Sequence, residues 1–157
     1  MIIVSDTSAI TGLIQIHRVE ILPTLYQEVV VPEEVANELQ KYHAGLPSFL
    51  RILPVTDLGC FHRLCAEVDP GEAAAITLML EGKGDVLLID ERRGRQIAQR
   101  EGLTIIGVLG VLLEARRQSI SPSLATAIME LETIADFRIS PQLKARALAA
   151  AGETPGQ

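Results

Sequence analysis

The sequence predicts an α/β fold in which helices pack on a buried parallel sheet as a three-layer sandwich. Short runs rich in Val, Ile and Leu alternate with longer segments whose apolar residues have helical spacing. Hydrophobic residues make up 48% of the 157 residues, yet aromatic residues make up only 3% and Trp is absent. The core must therefore consist of aliphatic side chains, which is typical of helices packed on a parallel sheet. Strands that are separated by helices form such sheets through right-handed crossovers.

The first half of the chain contains three predicted strands and three predicted helices. A β-branched run ends at Pro32, and this proline suits the first turn of a following helix, where Glu33 and Glu34 lie at the positive end of the helix dipole. The predicted strands span residues 2–5, 28–31 and, more weakly, 52–55, and the predicted helices span 9–16, 19–26 and 32–41.

The second half alternates more plainly between helices and strands. Asp69 and Pro70 form a helix start, and Gly82 and Gly84 mark the end of that helix. The predicted helices span 69–81, 91–101, 109–118, 121–135 and 141–150, and the predicted strands span 86–89 and 104–106. We expect a single domain over residues 1–150, followed by a flexible C-terminal tail at 151–157.

Net charge and hydropathy exclude several classes of protein. The net charge of −6 argues against a protein that coats nucleic acid nonspecifically through a basic surface, although a local basic patch remains compatible with it. Two cysteines are too few for a disulfide framework. No segment has the roughly 20 apolar residues of a membrane span, and the N-terminus has no signal-peptide pattern. We therefore expect a cytoplasmic protein without a membrane partner.

Two aspartates follow the strands that are predicted most clearly. Asp6 comes directly after the strand at 2–5, and Asp90 comes after the strand at 86–89. Carboxylates at the carboxyl ends of parallel strands lie at the ligand-binding crevice of α/β sheets. Each aspartate could instead cap the helix that follows it, but Ser8 is a well-placed cap for a helix that starts at residue 9. We therefore expect Asp6 and Asp90 to face the crevice.

Two glutamates are further candidates for the same site, and each has a structural alternative. Glu38 lies at the border of the apolar stripe of its helix, so it either leans over the sheet or remains a solvated helix residue. Glu72 is three residues after Asp69, and this spacing is also that of a capping box, in which the glutamate bonds back to the cap residue. Spacing alone leaves both alternatives open.

Three arginines, Arg92, Arg93 and Arg95, lie in the first turns of the helix after Asp90. Their charge has the wrong sign for the positive end of a helix dipole, which suggests an anionic partner nearby. Guanidinium groups bind phosphate oxygens through paired hydrogen bonds. The alternative is that these arginines pair with Glu91 and neighbouring carboxylates.

Together these motifs resemble the PIN-domain family. The resemblance rests on Asp6-Thr7-Ser8 after the first strand, Glu38 in Pro-Glu-Glu-Val-Ala-Asn-Glu-Leu, Glu72 in Gly-Glu-Ala-Ala-Ala-Ile, and Asp90 before Glu-Arg-Arg-Gly-Arg. It extends from Met1 to about Ser140, and the likeness is greatest to a prokaryotic branch of predicted nucleic-acid-binding proteins. The resemblance implies about five parallel strands in the order 3-2-1-4-5.

The resemblance also implies a Mg²⁺- or Mn²⁺-dependent ribonuclease, often the VapC-like toxin of a toxin–antitoxin pair. It assigns catalysis and metal binding to Asp6, Glu38, Glu72 and Asp90. Substrate binding would then involve Thr7, Ser8, Arg92, Arg93 and Arg95. The expected partners are an RNA substrate, a cognate antitoxin and a second copy of the chain.

Two other functions compete with this prediction. Toxin-type members carry Asp where this chain has Glu72, which also suggests a weakly active or inactive module that binds RNA or a protein. A phosphohydrolase or phosphoacceptor domain that uses Asp6 is disfavoured, because the segment after Asp6 lacks the second aspartate of such motifs.

Overall fold

The computed structural model describes residues 1–153, and within them the chain forms five strands and nine helices. The strands are β1 (Ile2–Ser5), β2 (Glu28–Pro32), β3 (Leu50–Leu53), β4 (Val86–Leu88) and β5 (Ile105–Ile106). The helices are α1 (Thr7–Gln15), α2 (Ile21–Leu25), α3 (Glu33–Tyr42), α4 (Leu58–Cys65), α5 (Pro70–Leu80), α6 (Arg92–Arg100), α7 (Val108–Arg117), α8 (Leu124–Thr133) and α9 (Pro141–Ala150).

All five strands form one parallel sheet in the order β3-β2-β1-β4-β5. Val4 in the central strand β1 is paired with Val30 on one side and with Leu87 on the other. From β1 the chain adds β2 and then β3 on one side of the sheet. It then crosses back, and β4 and β5 are added on the other side of β1. This reversal creates a crevice at the carboxyl ends of β1 and β4. The predicted α/β fold and strand order are confirmed.

Alternate residues of each strand pack into separate apolar layers on the two faces of the sheet. Ile3 and Leu88 belong to a layer with side chains from α1, α2, α3, α7, α8 and α9. Val4 and Leu87 belong to a layer with side chains from α4, α5 and α6. This alternation follows from the two-residue period of a strand and produces the predicted three-layer sandwich.

Helix α5 lies almost entirely inside the molecule. All residues from Gly71 to Met79 are buried, and the helix contacts β1, β2, β4 and three neighbouring helices. A helix that is apolar around its whole circumference belongs in a core rather than on a surface. Because α5 is fixed on all sides, the carboxylates in its first turn are held firmly relative to the sheet.

Several predicted boundaries differ from the structure. Strand β3 begins and ends two residues earlier than the predicted strand at 52–55, because it pairs with β2 over Val29 to Pro32. The predicted helix at 121–135 begins only at Leu124, since Ser123 is its cap and accepts a hydrogen bond from the Thr126 amide. Helix α4 falls in a segment for which no strand or helix boundaries were predicted.

The C-terminal residues that the structure describes extend beyond the predicted domain boundary. Glu153 accepts hydrogen bonds from the Leu124 amide at 2.8 Å and the Ala125 amide at 3.1 Å, and it pairs with Arg116. Residues 154–157 of the predicted tail lie outside the described residues, so the domain boundary at residue 150 stays a prediction. Within residues 1–153 no helix has the length and apolar character that a membrane span requires.

Candidate active site

A cavity of about 1250 Å³ opens at the carboxyl ends of β1 and β4 and contains all four predicted acidic residues. These residues come from four separate segments of the chain, namely the start of α1, the middle of α3, the first turn of α5 and the end of β4. Seven acidic residues line this cavity: Asp6, Glu38, Asp69, Glu72, Asp90, Glu91 and Asp136. Three predicted substrate-binding residues, Thr7, Ser8 and Arg92, also line it.

Asp6 is both a helix cap and a member of the cavity. Its side chain is 1% exposed and accepts hydrogen bonds from the Ala9 amide at 3.1 Å and from the Ser8 hydroxyl at 3.4 Å. Helix α1 therefore begins at Thr7, and the prediction that Ser8 caps a helix starting at residue 9 was wrong. Burial raises the pKa of Asp6 to about 7, and the charge of Asp90 also contributes.

Asp90 connects the end of β4 to the start of α7. Its carboxylate accepts a hydrogen bond from the Val108 amide at 3.0 Å, so it satisfies the first turn of α7 rather than that of α6. Burial raises the pKa of Asp90, while the Val108 amide and the nearby Arg95 oppose this rise. The carboxylate is therefore fixed at the edge of the cavity by α7, the helix that follows β5 in the chain.

Glu72 reaches across the cavity from the first turn of α5. Asp69 caps this helix by accepting a hydrogen bond from the Glu72 amide at 2.8 Å, as the capping-box alternative requires. Among the described residues the Asp69 amide does not donate the reciprocal bond to the Glu72 carboxylate, which extends instead to Gly94 in α6. Burial, together with the charge of Asp69, raises the pKa of Glu72 to about 8.

Glu38 approaches the same region from α3. Burial and the neighbouring Asp69 raise the pKa of its carboxylate. One carboxylate oxygen lies over Gly71, and the Thr7 hydroxyl lies beside the same glycine. This Thr7 oxygen is buried and has no hydrogen-bond partner within residues 1–153. The structure therefore brings Glu38 into the cavity, and the alternative of a purely solvated residue does not hold.

Three glycines allow these carboxylates to pack closely against neighbouring elements. A Cβ atom at Gly71 would lie 2.5 Å from Glu38 Oε1, and one at Gly94 would lie 2.6 Å from Glu72 Oε2. A Cβ atom at Gly107 would lie 2.7 Å from Asp90 Oδ1. Gly107 therefore accommodates the Asp90 carboxylate immediately before α7.

The three predicted arginines have different positions. Arg92 lines the cavity, and Arg95 lies beside Asp90, where it donates a hydrogen bond to the Ile89 carbonyl at 2.8 Å. Arg93 lies outside the cavity lining and pairs with Glu67 at 3.1 Å, so the ion-pair alternative describes this residue. Its partner Glu67 is neither Glu91 nor one of the carboxylates that neighbour Glu91 in the sequence.

Sequence reasoning missed two parts of the cavity. Asp69 was identified only as a helix cap, although its place at the start of a buried helix also puts it beside Glu38 and Glu72. The segment 135–138, between α8 and α9, forms another wall of the cavity. No local pattern signals this contact, because it depends on the packing of Phe137 against Gly12 in α1.

The donor groups suit a hard divalent cation, although the described side chains do not form a complete coordination shell. Within residues 1–153 no group of three or more His, Cys, Asp or Glu residues is arranged to hold a metal ion. Carboxylate and hydroxyl oxygens are nevertheless the ligands that Mg²⁺ and Mn²⁺ prefer. The raised pKa values of Asp6 and Glu72 indicate that the site lacks positive charge. The residues thus fit such an ion if water molecules complete its shell.

Comparison with known families agrees with the fold and the predicted resemblance. A family model described as a PIN domain matches residues 2–153. No curated protein and no solved structure shows significant similarity to the chain. PIN domains are in general nucleases, and they typically use divalent metal ions. Since the match extends over nearly the whole sequence, the chain belongs to the PIN-domain family.

Proposed function

We propose that this protein is a ribonuclease that hydrolyses RNA phosphodiesters with Mg²⁺ or Mn²⁺. The observation that carries the proposal is the convergence of four predicted carboxylates, from four segments of the chain, on one cavity. Carboxylates that share a desolvated site repel one another, and the raised pKa values of Asp6 and Glu72 express this repulsion together with burial. A divalent cation would relieve both effects.

Each group in the cavity has a proposed role. Asp6 and Asp90, at the strand ends, would hold the cation, and Glu38 and Glu72 would complete its shell directly or through water. The bound ion would supply Lewis-acid activation of a phosphodiester and of the water that attacks it.

Contacts with the substrate would come from hydroxyls, amides and arginines around the carboxylates. The Thr7 and Ser8 hydroxyls line the cavity at the start of α1, where the first amides have no partners within the helix. Arg92 and Arg95 would contact phosphate oxygens and stabilise developing negative charge. We leave Arg93 out of this group because Glu67 already pairs with it.

A non-catalytic module that binds RNA or a protein is the second candidate function. It is favoured by the finding that no three acidic groups of residues 1–153 are arranged to hold a metal ion.

A toxin–antitoxin complex and a homodimer are further parts of the proposal. Each would need an apolar surface on which the antitoxin or the second copy of the chain packs. Met129 and Ile134 on and after α8 are 56% and 57% exposed, which supports such a surface, whereas Ile128 and Leu131 belong to the core.

Cleavage of total RNA tests the proposed function directly. We expect cleavage with Mn²⁺, none with EDTA, and loss of cleavage in Asp6→Asn. Asp57→Asn is the matched control, because Asp57 caps α4 in the same manner at an exposed position away from the cavity. Cleavage by Asp6→Asn at the parent rate would contradict the assigned site. Cleavage by neither protein, with RNA binding retained, would favour the non-catalytic module.

A further inference from the structure

A second cavity, of about 660 Å³, lies beside the carboxylates and has an apolar floor. It is formed by β5, α7, α9 and the segment between α8 and α9. Its floor consists of aliphatic side chains, among them Leu109, Leu113, Leu131 and Ile139, and Leu143 lies at its exposed edge. This volume is within the range of roughly 300–1,000 Å³ that is usual for small-ligand sites.

Arginines dominate the charge of this second cavity. Arg95, Arg138 and Arg146 line it, and Asp90 is its single acidic residue. Among the described residues Arg138 and Arg146 form no ion pair, whereas Lys144, on the same helix as Arg146, pairs with Glu132 at 2.7 Å. Unpaired guanidinium groups around an apolar floor, in a chain of net charge −6, indicate a ligand with an anionic part and an apolar part.

The two cavities adjoin each other. Asp90, Phe137 and Arg138 line both of them, so a ligand can extend from the carboxylates to the arginines. The Phe137 ring is held in this position by contact with Gly12, where an added Cβ atom would lie only 2.6 Å from the ring. A bound cation and the neighbouring arginines would both attract negative charge, and an apolar wall lies between them.

We propose that the second cavity binds an unpaired nucleotide next to the phosphodiester that the carboxylate cavity cleaves. Its base would occupy the apolar floor against Phe137, and its phosphate would contact Arg138 and Arg146. An RNA strand offers a phosphodiester for the cation site, a base for the apolar pocket and a further phosphate for the arginines. An acidic peptide would match only the apolar pocket and the arginines of the second cavity. A base enters this pocket only when it is unstacked, so the site selects single-stranded RNA. This inference rests on the proposed ribonuclease function.

The test measures binding in EDTA and cleavage with Mn²⁺ separately. The probe is a fluorescein-labelled single-stranded RNA of mixed sequence, compared with the same strand in a duplex. We expect the double variant Arg138→Gln/Arg146→Gln to bind the single strand about tenfold more weakly, with a salt dependence that is flatter by about 0.7 per lost phosphate contact. With Mn²⁺, KM should rise while kcat stays unchanged.

Two further variants distinguish binding in the second cavity from a general effect of the protein's positive charge on RNA binding. Leu143→Glu places a carboxylate on the exposed edge of the cavity and should weaken binding in the same way, since Leu143 is 43% exposed. Lys144→Gln removes one positive charge from the same helix but at a residue that is paired outside the cavity, and it should bind RNA as the parent does.

The outcomes distinguish this inference from the proposed function. If the parent cleaves RNA and the arginine variant retains its KM and affinity, the nucleotide site is wrong and the ribonuclease stands. If the parent does not cleave but the variants lose binding as expected, the ribonuclease is wrong and the nucleotide site stands. Equal affinity for duplex and single strand would overturn the site. A second result would also overturn the site. If the arginine variant no longer binds a synthetic Glu/Leu peptide but still binds RNA as the parent does, the cavity is a groove for docking a protein.

Discussion

Replacement of Asp6 by Asn should make the metal-free protein more stable at neutral and alkaline pH. Asp6 is 1% exposed, and its burial raises the pKa from 3.8 to about 7. The folded protein therefore binds the Asp6 proton more tightly than the unfolded chain does. The contribution of Asp6 to stability is greatest below pH 3.8 and declines as the pH rises towards 7, because the buried carboxylate must then carry a charge. Asparagine has no such charge and is an equally good N-cap for α1.

The size of this effect follows from the two pKa values. One pKa unit corresponds to about 1.4 kcal/mol, so a rise from 3.8 to about 7 corresponds to about 4 kcal/mol above pH 7. At pH 5 only part of this destabilisation is present. The advantage of Asp6→Asn over the parent should thus be larger at pH 8 than at pH 5 by roughly 2–3 kcal/mol. The related rise at Glu72 would be smaller in the variant, because the charge of Asp6 contributes to it.

Urea unfolding in EDTA at pH 5 and pH 8 measures the difference. Asp57→Asn is again the control, since Asp57 accepts a hydrogen bond from the Cys60 amide at an exposed cap. We expect that substitution to change stability equally at both pH values. If Asp6→Asn is no more stable than the parent at pH 8, the carboxylate is not desolvated in the way that its burial indicates, and the reasoning from burial to pKa is refuted.

Three other predictions concern the site and its supports. Gly94→Ala should abolish Mn²⁺-dependent cleavage by displacing the Glu72 carboxylate. It should also cost about 1–3 kcal/mol of stability, because the new Cβ would lie 2.6 Å from Ile89 Cδ1 in the core. Gly84→Ala is its contrast and should cost about 1–3 kcal/mol in urea unfolding without affecting the cation, since its Cβ would meet Val4 in the core. Leu87→Ala should cost about 2–5 kcal/mol in the same measurement. Mn²⁺ at 100 times its Kd should stabilise the parent by about 2.7 kcal/mol and Gly94→Ala by less, as thermal melting would show.

Local sequence patterns predicted the strand-end aspartates, because parallel topology alone determines where they lie. Asp6 and Asp90 each follow a strand, and β1 and β4 are neighbours in the sheet. The position of Glu38 and Glu72 could not be derived in this way. It depends on how α3 and α5 pack against each other, and the family resemblance supplied that information before the structure did.

Other features depended on choices between equally favourable local arrangements. Asp6 and Ser8 are both good N-caps, and the sequence does not show which of them begins α1. The structure selects Asp6, since Ser8 instead donates to its carboxylate. Arg93 had several acidic neighbours in sequence, yet it pairs with Glu67, which is 26 residues away. Contacts of this kind follow from tertiary packing and have no local signal.

The position of Glu72 supports the view that this cavity exists for a ligand rather than for stability. Helix α5 is buried around its circumference, and an apolar residue at position 72 would suit that environment better than a carboxylate. The positive end of the helix dipole offsets only part of the cost of burial, since the pKa of Glu72 still rises to about 8. Asp69 and Asp6 add further negative charge nearby. Under the proposed function, a divalent cation would remove this destabilisation when it binds, so the same residues that weaken the metal-free fold would strengthen the metal-bound protein.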